Sequence, residues 1–514
     1  MKAKFSEYLQ ENAPFFEELA AELSKKYDYI SLLATDSKGF SINCSQHSKS
    51  VSNSNITTER GCVVRVWKDG LYSEYAFNKP ETADNPVEKN EEAVTAGLLR
   101  PEGADIAKAP AAGAGSPKGT EAKALAQRIS ACLEDQFKIL RLTDTKIYDT
   151  PKLPDEEAEL FVEKEAEVLP EEADMEELVN LLSAVSDQGM EYAGHAVECS
   201  VSARSTHISK LFLTPNRNLR QSYVYTEGNT AVIAAKDGAN RYAYAGVSGL
   251  AGPEILEGLR EKVKEAAGKA EAMLSAGQVV PGEYDIITTP GITGLIAHEA
   301  FGHGVEMDMF VKNRALGKDY IGKRVGSDLL TMHEGALCAE NVTSYAFDDE
   351  GTLAGDVVEI EHGILKTGIC DALSAVRLGV APTGNGKREN FEHKVYTRMT
   401  NTLIDPGNDS LEDMIASISY GYLLDGTESG MEDPKHWGIQ CIVSRGYEIK
   451  DGKLTGKMVS PVVMTGYVPD LLGSITMASP DMEAEGNGMC GKGHKEWVKV
   501  ADGGPYLKAK ARLG

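Results

Sequence analysis

The chain has 514 residues, 42% of them hydrophobic, which is enough for two or three domains with a sizeable core. A formal net charge of −25 argues against nucleic acid as a main partner, because phosphate binding needs a basic surface, and against an anionic membrane face. Eight cysteines without CxxC pairs, no signal-type stretch after Met1-Lys2-Ala3-Lys4 and no apolar run of transmembrane length predict a soluble, cytoplasmic protein with reduced thiols.

Residues 5 to 27 predict an amphipathic helix, with Phe15, Phe16, Leu19, Ala20 and Leu23 at helical spacing. Strands are expected at Ile30 to Leu33, Gly61 to Trp67 and Tyr72 to Phe77, the last two joined by an Asp69-Gly70 hairpin turn. Residues 79 to 119 are rich in Ala, Gly and Pro and predict a flexible linker or insertion. A helix resumes at Thr120, with Leu125, Ile129, Leu133 and Phe137 on one face. The acidic run 155 to 177 is expected to be a solvated helix face. Alternation from Glu198 to about Gly246 predicts several strands, and Pro253 to Leu274 one long helix with Pro253 in its first turn. After a short strand, Asp285 to Thr288, and Thr289-Pro290-Gly291, another helix begins. Beyond it the chain turns β-rich, with hairpins about His362-Gly363 and Asp451-Gly452. The fold class is α+β: an N-terminal domain over 1–275, carrying the 79–119 segment, then a β-rich C-terminal catalytic domain over 276–514.

The helix after Pro290 carries the most informative run, His298-Glu299-Ala300-Phe301-Gly302-His303. Two imidazoles and a carboxylate suit a divalent metal with an open position and a base to activate water. The histidines are five apart, however, and at roughly 100° per residue a regular helix would set them about 140° apart. Both reach one ion only if the helix breaks or widens, which Gly302 and Gly304 permit. A third ligand is required, and residue chemistry leaves Cys490, His494, His333, Glu306 and Asp308 open. Asn385, Arg388 and the run Arg398 to Asn401 read as turn and anchoring residues more than as substrate contacts.

Five segments in the same order resemble the TldD/PmbA peptidase family, on its metal-bearing TldD side. They are His298 to Glu306, Phe347-Asp348-Asp349-Glu350-Gly351-Thr352, Ala381 to Glu389, Arg398-Met399-Thr400-Asn401-Thr402 and Gly488-Met489-Cys490-Gly491-Lys492. The N-terminal half matches weakly, through Arg60 to Arg65. The resemblance implies Zn2+ held by His298, His303 and Cys490, with Glu299 as general base, and cleavage of unfolded or extended peptides. It also implies a dimer, either of this chain or with a PmbA/TldE-like subunit lacking the ligands. Such a peptide is expected to pair with an exposed strand edge. The alternative is a non-catalytic peptide-binding or assembly subunit of the same kind of complex. Departures from the family pattern are the 79–119 segment and the stretch after Cys490, where His494 stands as a possible neighbour of the ligands.

Overall fold

The computed structural model describes residues 1–53, 58–78, 119–142, 149–492 and 496–514. The expected linker at 79–119 lies outside them except for Gly119, where a helix starts, and so does His494. The fold is α+β, built on two large sheets.

The first sheet has eight strands, with a central run Leu71–Phe77, Arg60–Lys68, Tyr29–Cys44, Ala196–Leu213 and Arg217–Lys236, all antiparallel. Ala158–Glu163 adds in parallel at one edge, and Ala239–Gly249 pairs with Arg217–Lys236. The four long helices cover one face. Along Tyr29–Cys44, the even-numbered Ile30, Leu32 and Ala34 pack under helices Glu7–Ser24 and Gly119–Leu142, and Phe40, Ile42 and Cys44 under Met175–Tyr192 and Leu259–Met273. The period-2 pleat sends Leu33 to the opposite face, where it meets Phe212, Leu219 and Phe347 from the second half of the chain. Burial on both faces explains why this strand runs far past the expected Ile30 to Leu33. Its polar residues 36 and 37 are inside, Asp36 accepting from Ser6 Oγ (2.5 Å) and Arg60 Nε (2.8 Å).

The acidic run 155–177 departs from its expected form. It holds the strand Ala158–Glu163 and a short turn at Pro170–Glu172 before the helix starts at Met175, because Leu160 and Val162 register against Leu219 and Gln221 of the neighbouring strand. The expected helix over 253–274 divides into a 3-10 turn, Pro253–Gly258, and an α-helix, Leu259–Met273.

The second sheet has eleven strands, and five of them close on themselves. Gly282–Thr288 pairs with Tyr420–Asp433, which pairs with Gly438–Lys450, then Val462–Tyr467, then Ala501–Leu513, which returns to Gly282–Thr288. The hairpin at Asp451-Gly452 forms as expected, but its second arm stops at Val459; past the cis Ser460-Pro461 bond, Val462–Tyr467 pairs separately. Ile286, Leu424, Val443, Met464 and Leu507 fill the main core between this ring and the helix after Pro290.

The halves are riveted by buried charge. Arg65 pairs with Glu74 (2.7 Å) and with Glu350 across the junction, and Arg388 pairs with Glu74 (2.6 Å).

Candidate metal centre

Pro290 at the first turn starts an α-helix, Pro290–Leu295, directly off the strand Gly282–Thr288. The helix lies hard against Ala501–Leu513: a Cβ on Gly294 would meet Asp502 Oδ1 at 2.4 Å. From Ile296 to Gly302 it widens into a π-helix, and the N–H of His303 donates to the carbonyl of His298. That i→i+5 bond is the widening the spacing demanded. It brings the two imidazoles together, ring centroids 5.1 Å apart.

Cys490 arrives from far along the chain, on Met489–Cys490, which pairs with Val498–Lys499. Its Sγ lies 3.2 Å from His298 Nε2 and 3.4 Å from His303 Nε2. Bonds of about 2.0–2.1 Å to nitrogen and about 2.3 Å to sulfur around one tetrahedral ion would set N and S roughly 3.5 Å apart. The donor set therefore fits a zinc ion in chemistry and in spacing. Burial pushes the Cys490 thiol up, but the two imidazoles more than reverse this and hold it at about 4, a thiolate. Burial likewise opposes charge on His298, and the Cys490 sulfur overcomes it, raising that imidazole to about 9; His303 is raised in the same way.

Glu299 stands beside the cluster, its Oε2 3.9 Å from His303 Nε2. Its place depends on Gly430 of the facing strand, where a Cβ would come within 2.3 Å of Glu299 Cγ. Glu432, two residues on, lies against Gly304, whose added Cβ would meet its Oε1 at 2.5 Å, and burial holds its carboxyl well above the usual range.

The other ligand candidates lie elsewhere. Glu306 sits behind His303, accepting from its Nδ1 (3.2 Å) on the side away from Cys490. Lys492 Nζ (3.1 Å) and Arg398 Nε (3.6 Å) flank Glu306, and with His303 they draw its carboxyl below the usual range despite its burial. Asp308 bonds Lys312 and Lys492 (both 2.7 Å). His333 lies between Asp356 (2.8 Å) and Asp405 (3.4 Å). Arg398 is fully buried and donates to the carbonyl of Cys490 (2.8 Å), so it anchors, as its segment predicted. Asn385 is buried too, donating to Glu334 Oε1 (3.1 Å). Among the described residues a second grouping of potential ligands is Glu389, His393 and Glu496, which offers no cysteine.

Residues 281–511 match the family model described as the PmbA/TldA metallopeptidase C-terminal domain. The matched C-terminal part of the chain, residues 281–511, thus groups with the TldD/PmbA family. Three relatives are similar to this chain. Metalloprotease MJ0996 of Methanocaldococcus jannaschii is 32% identical over 281 residues, covering 55% of this chain and 61% of its own. The metalloprotease TldD homolog of Buchnera aphidicola is 34% identical, covering 48% and 50%. The zinc metalloprotease TldD homolog of Saccharolobus solfataricus is 31% identical, covering 45% and 51%. The match thus spans about half to three-fifths of these relatives' length. The fold extends further than the sequence match. TldE from Thermococcus kodakarensis superposes with a TM-score of 0.71 at 16% identity, over 97% of this chain and all of the other. A Thermotoga maritima protein described as a candidate DNA gyrase modulator gives 0.72 at 17%, over 98% and 100%. Among the described residues no helix is long and apolar enough to cross a membrane.

Proposed function

We propose that this chain is a zinc-dependent peptidase of unfolded or extended peptides, the catalytic TldD-like member of its family. The observation that carries the reading is the convergence of Cys490 Sγ on His298 Nε2 and His303 Nε2, at 3.2 and 3.4 Å, with Glu299 alongside. The name of the Saccharolobus relative supports zinc as the ion.

When bound to His298, His303 and Cys490, the ion would supply Lewis acidity that acidifies water and polarises a carbonyl. The rest falls to the chain. Glu299 takes a proton from the attacking water and passes it to the departing amine, so no net proton is gained or lost. Glu306 holds the Nδ1 proton of His303 and so keeps Nε2 free to ligate. Arg398 fixes the Cys490 backbone, and Gly430 leaves room for the Glu299 side chain.

Residues 1–275 and 276–514 are proposed as separate domains, since the first sheet ends at Gly249 and the second begins at Gly282. The likeness to TldE supports a dimer with a TldE-like subunit or a second copy of this chain. All eight cysteines are free, which supports a reducing, cytoplasmic setting.

The test is zinc content and cleavage of an unstructured peptide pool, read by mass spectrometry, for the native chain and Glu299→Gln with and without chelator. Chelator-sensitive cleavage that Glu299→Gln loses supports the enzyme. Bound zinc with no cleavage, alone or with a TldE-like subunit, supports the non-catalytic alternative.

A further inference from the structure

The face of the first sheet opposite its long helices is covered by the second half of the chain, but incompletely. A cavity of about 370 Å3 remains between them. Its floor includes Ile208 and Tyr225 from the first sheet, and its far wall Tyr345 and Phe391. It shares a wall with the metal centre. Met489, Val498 and Lys499 line it and belong to the strand pair that carries Cys490. Cavity and centre are therefore one residue apart on this pair, about 3.8 Å between consecutive Cα atoms.

The charges around the cavity are already answered within the protein. Lys210 pairs with Asp349. Arg204 and Lys499 both engage Glu227 (3.2 and 2.6 Å), and Arg388 engages Glu74 (2.6 Å). Lys387 Nζ donates to the carbonyls of Met399 (3.1 Å) and Lys499 (2.6 Å). On the acidic side, Glu59 accepts from Phe391 N (2.6 Å), Asp348 from Gly386 N (2.8 Å) and Glu389 from Trp497 N (3.0 Å). A charged ligand would have to break one of these pairs. Apart from hydroxyls such as those of Thr35, Thr206 and Thr343, what remains to face an occupant is mainly ring and aliphatic carbon. Phe391 is fixed in place by Gly61, where a Cβ would come within 2.1 Å of its ring. Met489 and Trp497, 38% and 45% exposed, leave the rim open. The volume is at the low end of ligand pockets, about 300–1,000 Å3, and suits one large side chain.

We infer that this cavity receives one bulky apolar or aromatic side chain of the extended peptide, from a residue within two of the bond presented to His298, His303 and Cys490. This rests on the peptidase reading. A peptide residue advances about 3.3 Å, which matches the one-residue offset between Cys490 and Met489. The pocket would give the enzyme a preference for Tyr, Phe, Trp, Leu or Met beside the cut, over Gly or a charged residue.

Binding tests it without relying on turnover. The full-length Glu299→Gln chain, zinc-loaded, is titrated with two end-blocked Gly/Ala hexapeptides that differ only in one Tyr-for-Gly exchange, their register free to slide. The Tyr peptide is expected to bind about tenfold tighter or more, from burial of its ring. Adding Ile208→Trp, which fills the cavity, should erase most of that advantage; Trp497→Ala at the exposed rim should reduce it several-fold and serves should the first variant not fold. Equal affinity of the two peptides, including no binding by either, overturns the inference, as does an advantage that survives these substitutions. The peptidase reading fails separately, if the zinc-loaded native chain binds the Tyr peptide preferentially and never cleaves it.

Discussion

His303 divides its two ring nitrogens between Glu306, 3.2 Å from Nδ1, and Cys490, 3.4 Å from Nε2. A buried carboxylate on the far nitrogen fixes tautomer and ring orientation and makes the near nitrogen a better ligand. Glu306→Gln should therefore keep the fold and lower zinc affinity about 10- to 100-fold. Competition with a chromophoric chelator measures this; unchanged affinity would remove Glu306 from the assembly.

Losing a ligand should be more severe. His303→Ala or Cys490→Ser should reduce zinc from about one per chain to a small fraction of that, because two donors cannot hold the ion against solvent. Elemental analysis of purified protein reads it directly, and equal zinc in native and variant chains would contradict the three-residue centre.

Glu299→Gln should leave zinc in place and lower peptide cleavage by about 10²- to 10⁴-fold, the range for removing a positioned proton-transfer group. KM should change little. Loss of zinc in this variant would instead make Glu299 part of the binding set.

A smaller change should act on the same carboxylate. In Gly430→Ala the new methyl would fall within 2.3 Å of Glu299 Cγ, so the side chain must shift. Misplacement by about 1 Å can cost on the order of 10²-fold in rate. The variant should hold its zinc and melt near the native temperature while kcat falls.

The pH dependence follows from the thiolate and imidazoliums of the metal-free protein. Cys490 is lowered from 9.0 to about 4, so its contribution to stability is complete above its ordinary value and is lost as pH falls through about 4. His298 is raised from 6.5 to about 9, so its contribution is complete below 6.5 and is lost as pH rises through about 9. Zinc must displace imidazolium protons, not the thiol proton. Its affinity should climb about tenfold or more per pH unit up to about 9; a plateau reached near 6.5 would contradict the raised imidazoles.

Much of the site was legible because its key fact is local. The five-residue spacing of His298 and His303, with glycine beside them, required a widened turn, and a π-turn is present. Cys490 was different: glycine-rich surroundings left it level with four rivals until the family resemblance singled it out, since its approach depends on a strand pair 190 residues downstream. The partnering of Glu306 with His303 was also hidden, because a carboxylate three residues from a ligand reads equally as a ligand. Glu432 and Gly430 gave no signal, because they meet Gly304 and Glu299 only through long-range pleating of Tyr420–Asp433. In the fold, amphipathic helices and the Asp-Gly hairpins read correctly from period and turn chemistry. The strand Ala158–Glu163 did not, because its carboxylates hid a β pattern that only a neighbouring strand completes.

The π-turn gives the helix one residue of slack. Deleting Ala300 would give an ordinary α-turn with histidines four apart, a spacing that itself suits zinc. Because a π-turn fits five residues where an α-turn fits four, the second histidine and the segment after it would stay near their places, with Glu306 still on its Nδ1 and Gly304 still against Glu432. The surplus residue is thus taken up inside a single turn, and removing it would narrow that turn while leaving the donors and their supports in register.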